Sequence, residues 1–266
     1  MNYWTKQSAE FAGQRNYLDE LFKVYPMSPN LRRELTKTKQ NNISKFFNER
    51  NNEDLIKELL SLEIFPIKDS YVAYLKRDPS SIKRNPNTIS RLAGNLYQMG
   101  IENIFDKCTE PKETNRQIGP LFKRWVDSGA IGAKVFKDIQ EFLEFEGNAI
   151  LNTSDAIMSK FCTDYLGYNH DKGIDFISRF NGKYIIGEAK FLSDFGGHQN
   201  AQFNDAISTI TSTFIESRLN VEVIKIAILD GVLFIKGNNK MYKFLENNPD
   251  TIIISSLLLR EFLYSL

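Results

Sequence analysis

Cysteine and histidine are almost missing from this chain, with two of each in 266 residues. Cys108 and Cys162 lie far apart and form no CxxC pair, which argues against a thiolate zinc site or a disulfide framework. Such thiols point to a reducing, cytoplasmic setting. With His170 and His198 the only histidines, a His-rich metal centre is excluded by count. No apolar run approaches the roughly 20 residues that cross a bilayer, and the opening MNYWTKQSAEFAGQRNYLDELF lacks the basic-then-apolar layout of a secretory leader. A membrane is therefore not expected among the partners. An excess of one charge is missing too: 34 Lys+Arg stand against 33 Asp+Glu, unlike the strongly basic balance of many DNA-binding domains.

What is present fits a soluble globular protein, with 42% hydrophobic and 25% charged residues. The balanced total hides an uneven distribution. Residues 1–134 hold 22 Lys+Arg against 16 Asp+Glu, and the remainder 12 against 17. The basic excess includes LKRDPSSIKRNPNTISR (75–91), where Lys76, Arg77, Lys83, Arg84 and Arg91 accompany a single acid, Asp78. Two readings stand level on charge alone: a solvated surface, or a phosphate-contacting segment whose Ser, Thr and Asn side chains add hydrogen bonds.

The periodicity divides the chain into a mainly helical region, 1–128, and an α/β region, 129–266. In NNEDLIKELLSL the apolar residues recur at helical spacing. NTISRLAGNLYQMG predicts a helix capped by Asn87 or Thr88 and ended at Gly100. DSGAIGAK (127–134) makes the joint, and helices are expected around VFKDIQEFLEF and from Ser154 to a stop at Gly167. The period then changes. KGIDFISRF, NGK and YIIGEAKF read as strand, turn and strand, with Asn181-Gly182 as the hairpin turn. After the loop LSDFGGHQN comes a helix with Phe203, Ala206, Ile207, Ile210, Phe214 and Ile215 on one side. VEVIKIAIL and VLFI read as strands joined at Asp230-Gly231, and SSLLLREFLYSL as a closing helix. The fold class is α/β with a mixed sheet.

The chemistry sits on the first hairpin. Glu188 and Lys190 share a face of one strand, with Ala189 opposite. The turn brings Asp175 of the other strand close to them. Two carboxylates on adjacent strands are hard oxygen ligands suited to Mg2+ that keeps several waters. A lysine beside them can orient a metal-bound water and stabilise charge developing on a phosphate. The spacing D-x(12)-E-x-K is common by chance. Its setting is less so: Ile174, Phe176, Ile177, Ile185, Ile186 and Phe191 surround the trio, and charges on such strands are costly unless paired or bound to metal. In GGHQNAQ, the glycines permit close backbone approach, and His198, Gln199, Asn200 and Gln202 are candidate DNA contacts.

GIDFISRFNGKYIIGEAK resembles the active-site motif of the PD-(D/E)XK nuclease superfamily, with Ile174 in place of the motif's proline. With FLSDFGGHQNAQFNDAI after it, and IKDSYVAYLKRDPSSIKRNPNTISRLAGNLYQMG and CTEPKETNRQIGPLFKRW before it, residues 65–236 resemble a type II restriction endonuclease. The resemblance implies a mixed-sheet nuclease core flanked by helices behind a helical DNA-recognition region. It implies that Asp175 and Glu188 ligate Mg2+ together with the Ala189 carbonyl, that Lys190 positions the attacking water, and that Glu144 or Glu146 is a candidate further acid. It extends the candidate DNA contacts to Arg116, and implies double-stranded DNA as substrate and a cognate DNA methyltransferase as companion. Cutting both strands implies a homodimer. Two alternatives share these residues: a junction or repair nuclease, and a non-catalytic DNA-binding protein in which the trio is a buried ion-pair network.

Overall fold

The computed structural model describes residues 1–27, 32–111, 117–170, 173–214 and 218–266. The chain forms two compact units: Met1–Met27 with Thr114–Leu266, and Ser28–Glu113. The division expected from sequence, at 128/129, does not coincide with these units. Residues 1–27 and the helix that starts at Ile118 lie with the sheet.

In chain order the sheet-containing unit opens with α1 (Tyr3–Ala12) and α2 (Tyr17–Val24). The chain then builds the second unit from α3 (Lys37–Asn48), α4 (Asn52–Leu60), α5 (Ser70–Arg77), α6 (Ser81–Arg84), α7 (Pro86–Met99) and α8 (Ile101–Cys108). These helices share a core that includes Ile43, Leu55, Leu59, Leu75, Leu92, Leu96 and Ile104. The helix predicted within NTISRLAGNLYQMG starts earlier than expected, with Pro86 in its first turn and Asn85 at the cap position. Proline is favoured there because the missing N–H would have had no partner, so Asn87 and Thr88 fall inside the helix.

The chain returns to the first unit through α9 (Ile118–Asp127), β1 (Lys134–Phe136), α10 (Ile139–Glu144), β2 (Ala149–Leu151), α11 (Asp155–Leu166), β3 (Phe176–Phe180) and β4 (Lys183–Leu192). It closes with α12 (Gly197–Thr211), β5 (Val223–Gly231), α13 (Lys240–Asn247), β6 (Ile252–Ile254) and α14 (Leu259–Tyr264). The six strands lie in sequence order. β2–β3 and β3–β4 are antiparallel, whereas β1–β2, β4–β5 and β5–β6 are parallel. The expected α/β class with a mixed sheet is what forms.

Strand alternation sends side chains to two faces, and helices cover both. One face carries Ile185, Ala189, Ile226 and Ile228 against α2, α9 and α14. The other carries Ile177, Ile186, Ala227 and Leu229 against α10 to α13. Ser154 caps α11 by accepting from the Ile157 amide, and Gly167 ends it in the left-handed conformation, as expected. Two segments differ from expectation. Val135 and Phe136 belong to β1 rather than to a helix. VLFI is not a strand: β5 continues through Asp230-Gly231, and Val232–Phe234 forms a 3-10 turn. The strand beside β5 is Ile252–Ile254 instead.

Candidate active site

The β3–β4 hairpin turns on Asn181 and Gly182, whose φ angles are 48° and 78°. Positive φ at both positions matches the right-handed twist of the flanking strands and favours Asn-Gly. The register runs from Phe180–Lys183 to Phe176–Gly187. Beyond it, the Asp175 amide donates to the Gly187 carbonyl at 2.9 Å. Asp175 thus stands just ahead of β3, beside Glu188. Gly187 itself lies close to β5: a methyl there would meet the Ile226 carbonyl oxygen at 2.9 Å.

Asp175, Glu188 and Lys190 meet on the α12 face. Lys190 Nζ lies 2.9 Å from Asp175 Oδ2 and 2.9 Å from Glu188 Oε1. The Ala189 amide donates to the same Asp175 oxygen at 3.0 Å. Glu188 is 5% exposed, and its second oxygen accepts from the Thr209 hydroxyl at 2.9 Å. Burial pulls the Lys190 pKa down, but the charges of Asp175 and Glu188 outweigh it and hold the ammonium above the ordinary lysine value. The arrangement is a fixed cation between two carboxylates, each braced by a neutral donor.

This donor set fits a hard divalent ion. Both carboxylates offer oxygen only, and among the described residues no three His, Cys, Asp or Glu side chains cluster as a ligand set. A hard divalent ion held by two carboxylates would keep much of its water.

Thr209 was invisible in the motif because it lies 21 residues beyond Glu188, on another element. The available signal was a hydroxyl on the inward face of a helix following the motif strand. Glu144 accepts from the Gln140 side chain at 2.8 Å, one turn earlier in α10. The Gly147 carbonyl, next after Glu146, accepts from Arg179 and the Asn148 side chain from the Asn181 amide, which places this segment at the hairpin turn. Arg179 is four residues along the strand from Asp175, about 13 Å at ~3.3 Å per residue. Among the described residues the ion pairs of Lys190 are with Asp175 and Glu188.

GGHQN is not a loop but the start of α12. Gln199 is buried and its side chain accepts from the Ser193 amide at 3.3 Å, so it anchors the β4–α12 connection rather than offering itself to a ligand. His198 is exposed and contacts Gln202 at 3.2 Å, and the Asn200 side chain donates to the Phe195 carbonyl. In the helical unit, Lys76, Arg77, Lys83, Arg84 and Arg91 are all exposed. Lys76 donates to the Leu62 carbonyl, Arg84 pairs with Asp78, and Arg91 pairs with Asp69. Arg116 lies outside the described residues.

No helix among the described residues is long and apolar enough to cross a membrane. No curated protein and no solved structure matches the chain significantly. A family model does: residues 2–266 match the one described as Tsp45I type II restriction enzyme. Over residues 2–266 the chain therefore belongs to this family of site-specific deoxyribonucleases, the Tsp45I type II restriction enzymes.

Proposed function

We propose that the chain hydrolyses both strands of duplex DNA at a specific site with Mg2+, at a centre formed by Asp175, Glu188 and Lys190. The observation that carries this reading is Lys190 Nζ standing 2.9 Å from each of two carboxylates on a buried strand pair. Asp175 and Glu188 would hold the cation, with the Ala189 carbonyl completing the protein ligands. The ion so held would supply a coordinated water of lowered pKa and a charge to offset that of the phosphate.

The chain's own residues supply orientation. Lys190 is a permanent cation placed to hold the attacking water and stabilise charge that develops on the phosphorus oxygens. Thr209 fixes Glu188, and the Ala189 amide fixes Asp175, so neither carboxylate needs to reorganise. His198, Asn200 and Gln202 at the start of α12, with Arg116 and the basic segment of the helical unit, are the proposed DNA contacts. One site of this kind cuts one strand, so two copies related by a two-fold axis are the assembly that breaks both. A methyltransferase protecting the same sequence is the companion such an activity requires.

Incubation of phage DNA with the protein, with and without Mg2+, tests the reading. Discrete Mg2+-dependent fragments are expected. Lys190→Ala lowers the cleavage rate by about 10³-fold or more while duplex affinity stays near wild type, because affinity rests mainly on phosphate contacts elsewhere. A Lys190→Ala enzyme that cuts at the wild-type rate refutes the assignment.

A further inference from the structure

We propose that the exposed face of α5, carrying Tyr71, Tyr74 and Arg77, enters the major groove of duplex DNA and reads bases of the recognition site. This deepens the proposed function and rests on it.

The helical unit exposes very little large apolar surface. Among its described residues the only exposed large hydrophobic side chains are Tyr71 and Tyr74, 62% and 60% accessible, and both are on α5. They stand three residues apart, and Arg77 follows after three more, so the three share one face of the helix. Only Val72 and Leu75 of α5 are buried. Ser70 and Ala73 lie exposed beside the tyrosines and present no bulk that would keep a partner away. Two tyrosines side by side offer rings for apolar contact and hydroxyls for hydrogen bonds on one exposed helix face.

Charge identifies the partner. Arg77 and Lys83 are exposed and have no salt-bridge partner among the described residues, and Arg84 stands nearby on α6. Aromatic rings interleaved with arginine suit a polyanion whose interior offers flat bases and thymine methyl groups. Tyr hydroxyls bond phosphate oxygens, and an arginine binds the O6 and N7 edge of guanine through two parallel hydrogen bonds. An α-helix with its side chains is about 10–12 Å across, which the roughly 12 Å wide major groove admits.

The helix is also held in place from beneath. Asp69 caps it, accepting from the Tyr71 amide at 2.9 Å, while its other oxygen accepts from Arg91 at 2.7 Å. The Arg91 guanidinium lies 5.6 Å from the centre of the Tyr71 ring. Arg91 is therefore a positioning residue: it fixes the start of α5 and the orientation of the first tyrosine.

The test uses the full chain. Sequencing the ends made by the wild-type enzyme gives the cut site. Affinities for a duplex with that site and for one without it are then measured with Mg2+ in the Lys190→Ala background, which holds the DNA intact. Arg77→Ala is expected to lower the ratio of the two affinities by about 10- to 100-fold, and Tyr71→Ala and Tyr74→Ala by about 3- to 10-fold. All three side chains are exposed, so melting temperatures stay at the Lys190→Ala value. Ratios unchanged in all three variants overturn the proposal and leave the catalytic assignment standing. An unchanged ratio with a smaller mass in light scattering makes α5 a protein–protein contact and likewise overturns it. A wild-type enzyme that yields no discrete ends removes the proposed function itself.

Discussion

Two carboxylates are buried on neighbouring strands of one sheet, and their surroundings differ in kind. Glu188 on β4 has a lysine, a second carboxylate and the Thr209 hydroxyl around it. Asp230 on β5 is fully buried and among the described residues has no cation in ion-pair distance. It accepts instead from the Tyr25 hydroxyl at 2.9 Å, the Ser255 hydroxyl at 2.5 Å and the Ser256 amide at 3.3 Å. Burial pushes its pKa above the ordinary carboxylate value against the lowering effect of these hydrogen bonds. Burial alone therefore does not mark chemistry. A carboxylate with neutral donors on every side is a tie between segments: Asp230 joins β5 to Tyr25 at the end of α2 and to the turn after β6. Glu188 instead shares a lysine with a second carboxylate, the arrangement on which the proposed chemistry rests.

The largest effect that would sharpen this contrast is on stability. Asp230→Ala leaves the Tyr25, Ser255 and Ser256 donors without their acceptor. Orphaned donors cost ~1–3 kcal/mol each, offset by relief of the buried carboxylate, so a net loss of about 2–4 kcal/mol is expected. Urea denaturation measures it. A variant as stable as wild type would show that Asp230 ties nothing together.

Next in size is an effect on rate. Thr209→Val removes the hydroxyl on Glu188 Oε2 and keeps the shape of the side chain. A hydrogen bond to a charged group contributes ~1.5–3 kcal/mol, and part of it is expected to appear as a cleavage rate about 10-fold lower. Thr209→Ser restores the hydroxyl and most of the rate. A purely structural role would instead lower the melting temperature, and serine would rescue stability without any difference in rate between the folded variants.

The contrast also explains what was legible in the sequence. Asn181-Gly182 sets the hairpin register by backbone conformation alone, so the meeting of Asp175, Glu188 and Lys190 follows from local sequence. Ser154, Gly167 and the apolar side of α12 are local signals too. What escaped depends on distant partners. Thr209 gains its role from packing against β4, and Arg91 from Asp69, 22 residues away. Asp230-Gly231 looks like a hairpin turn until Tyr25, 205 residues away, is seen bonding the aspartate. Three-residue strands such as Ala149–Leu151 and Ile252–Ile254 are too short to show a period of two. The 1–128 boundary erred for the same reason: helical periodicity does not tell which helices cover a sheet, and α1, α2 and α9 do.

The smallest expected effect is a pH dependence, and it tests the sign of the Asp230 argument. Asp230→Asn keeps the network's shape: its carbonyl in place of Oδ2 accepts from Tyr25 and Ser256, and its amide in place of Oδ1 donates to the Ser255 hydroxyl. Because burial raises the folded-state pKa above the unfolded value near 3.8, the proton on Asp230 is held more tightly in the folded chain. Below that value both states carry it. As pH rises the unfolded chain releases its proton first, so wild-type stability from this group falls until pH passes the folded pKa. Tyr17 and Tyr25 face the carboxylate, and burial foremost, then its charge, raises both above 10, so neither titrates in this range. The asparagine variant has nothing to lose. Melting temperatures of the two proteins measured from pH 4 to 8 should diverge in favour of Asp230→Asn by a few degrees, on the order of 1 kcal/mol in a domain of this size. Curves that run parallel, or that favour wild type as pH rises, would mean that the three donors outweigh burial and that Asp230 is not held against ionisation, which would remove the contrast drawn for it.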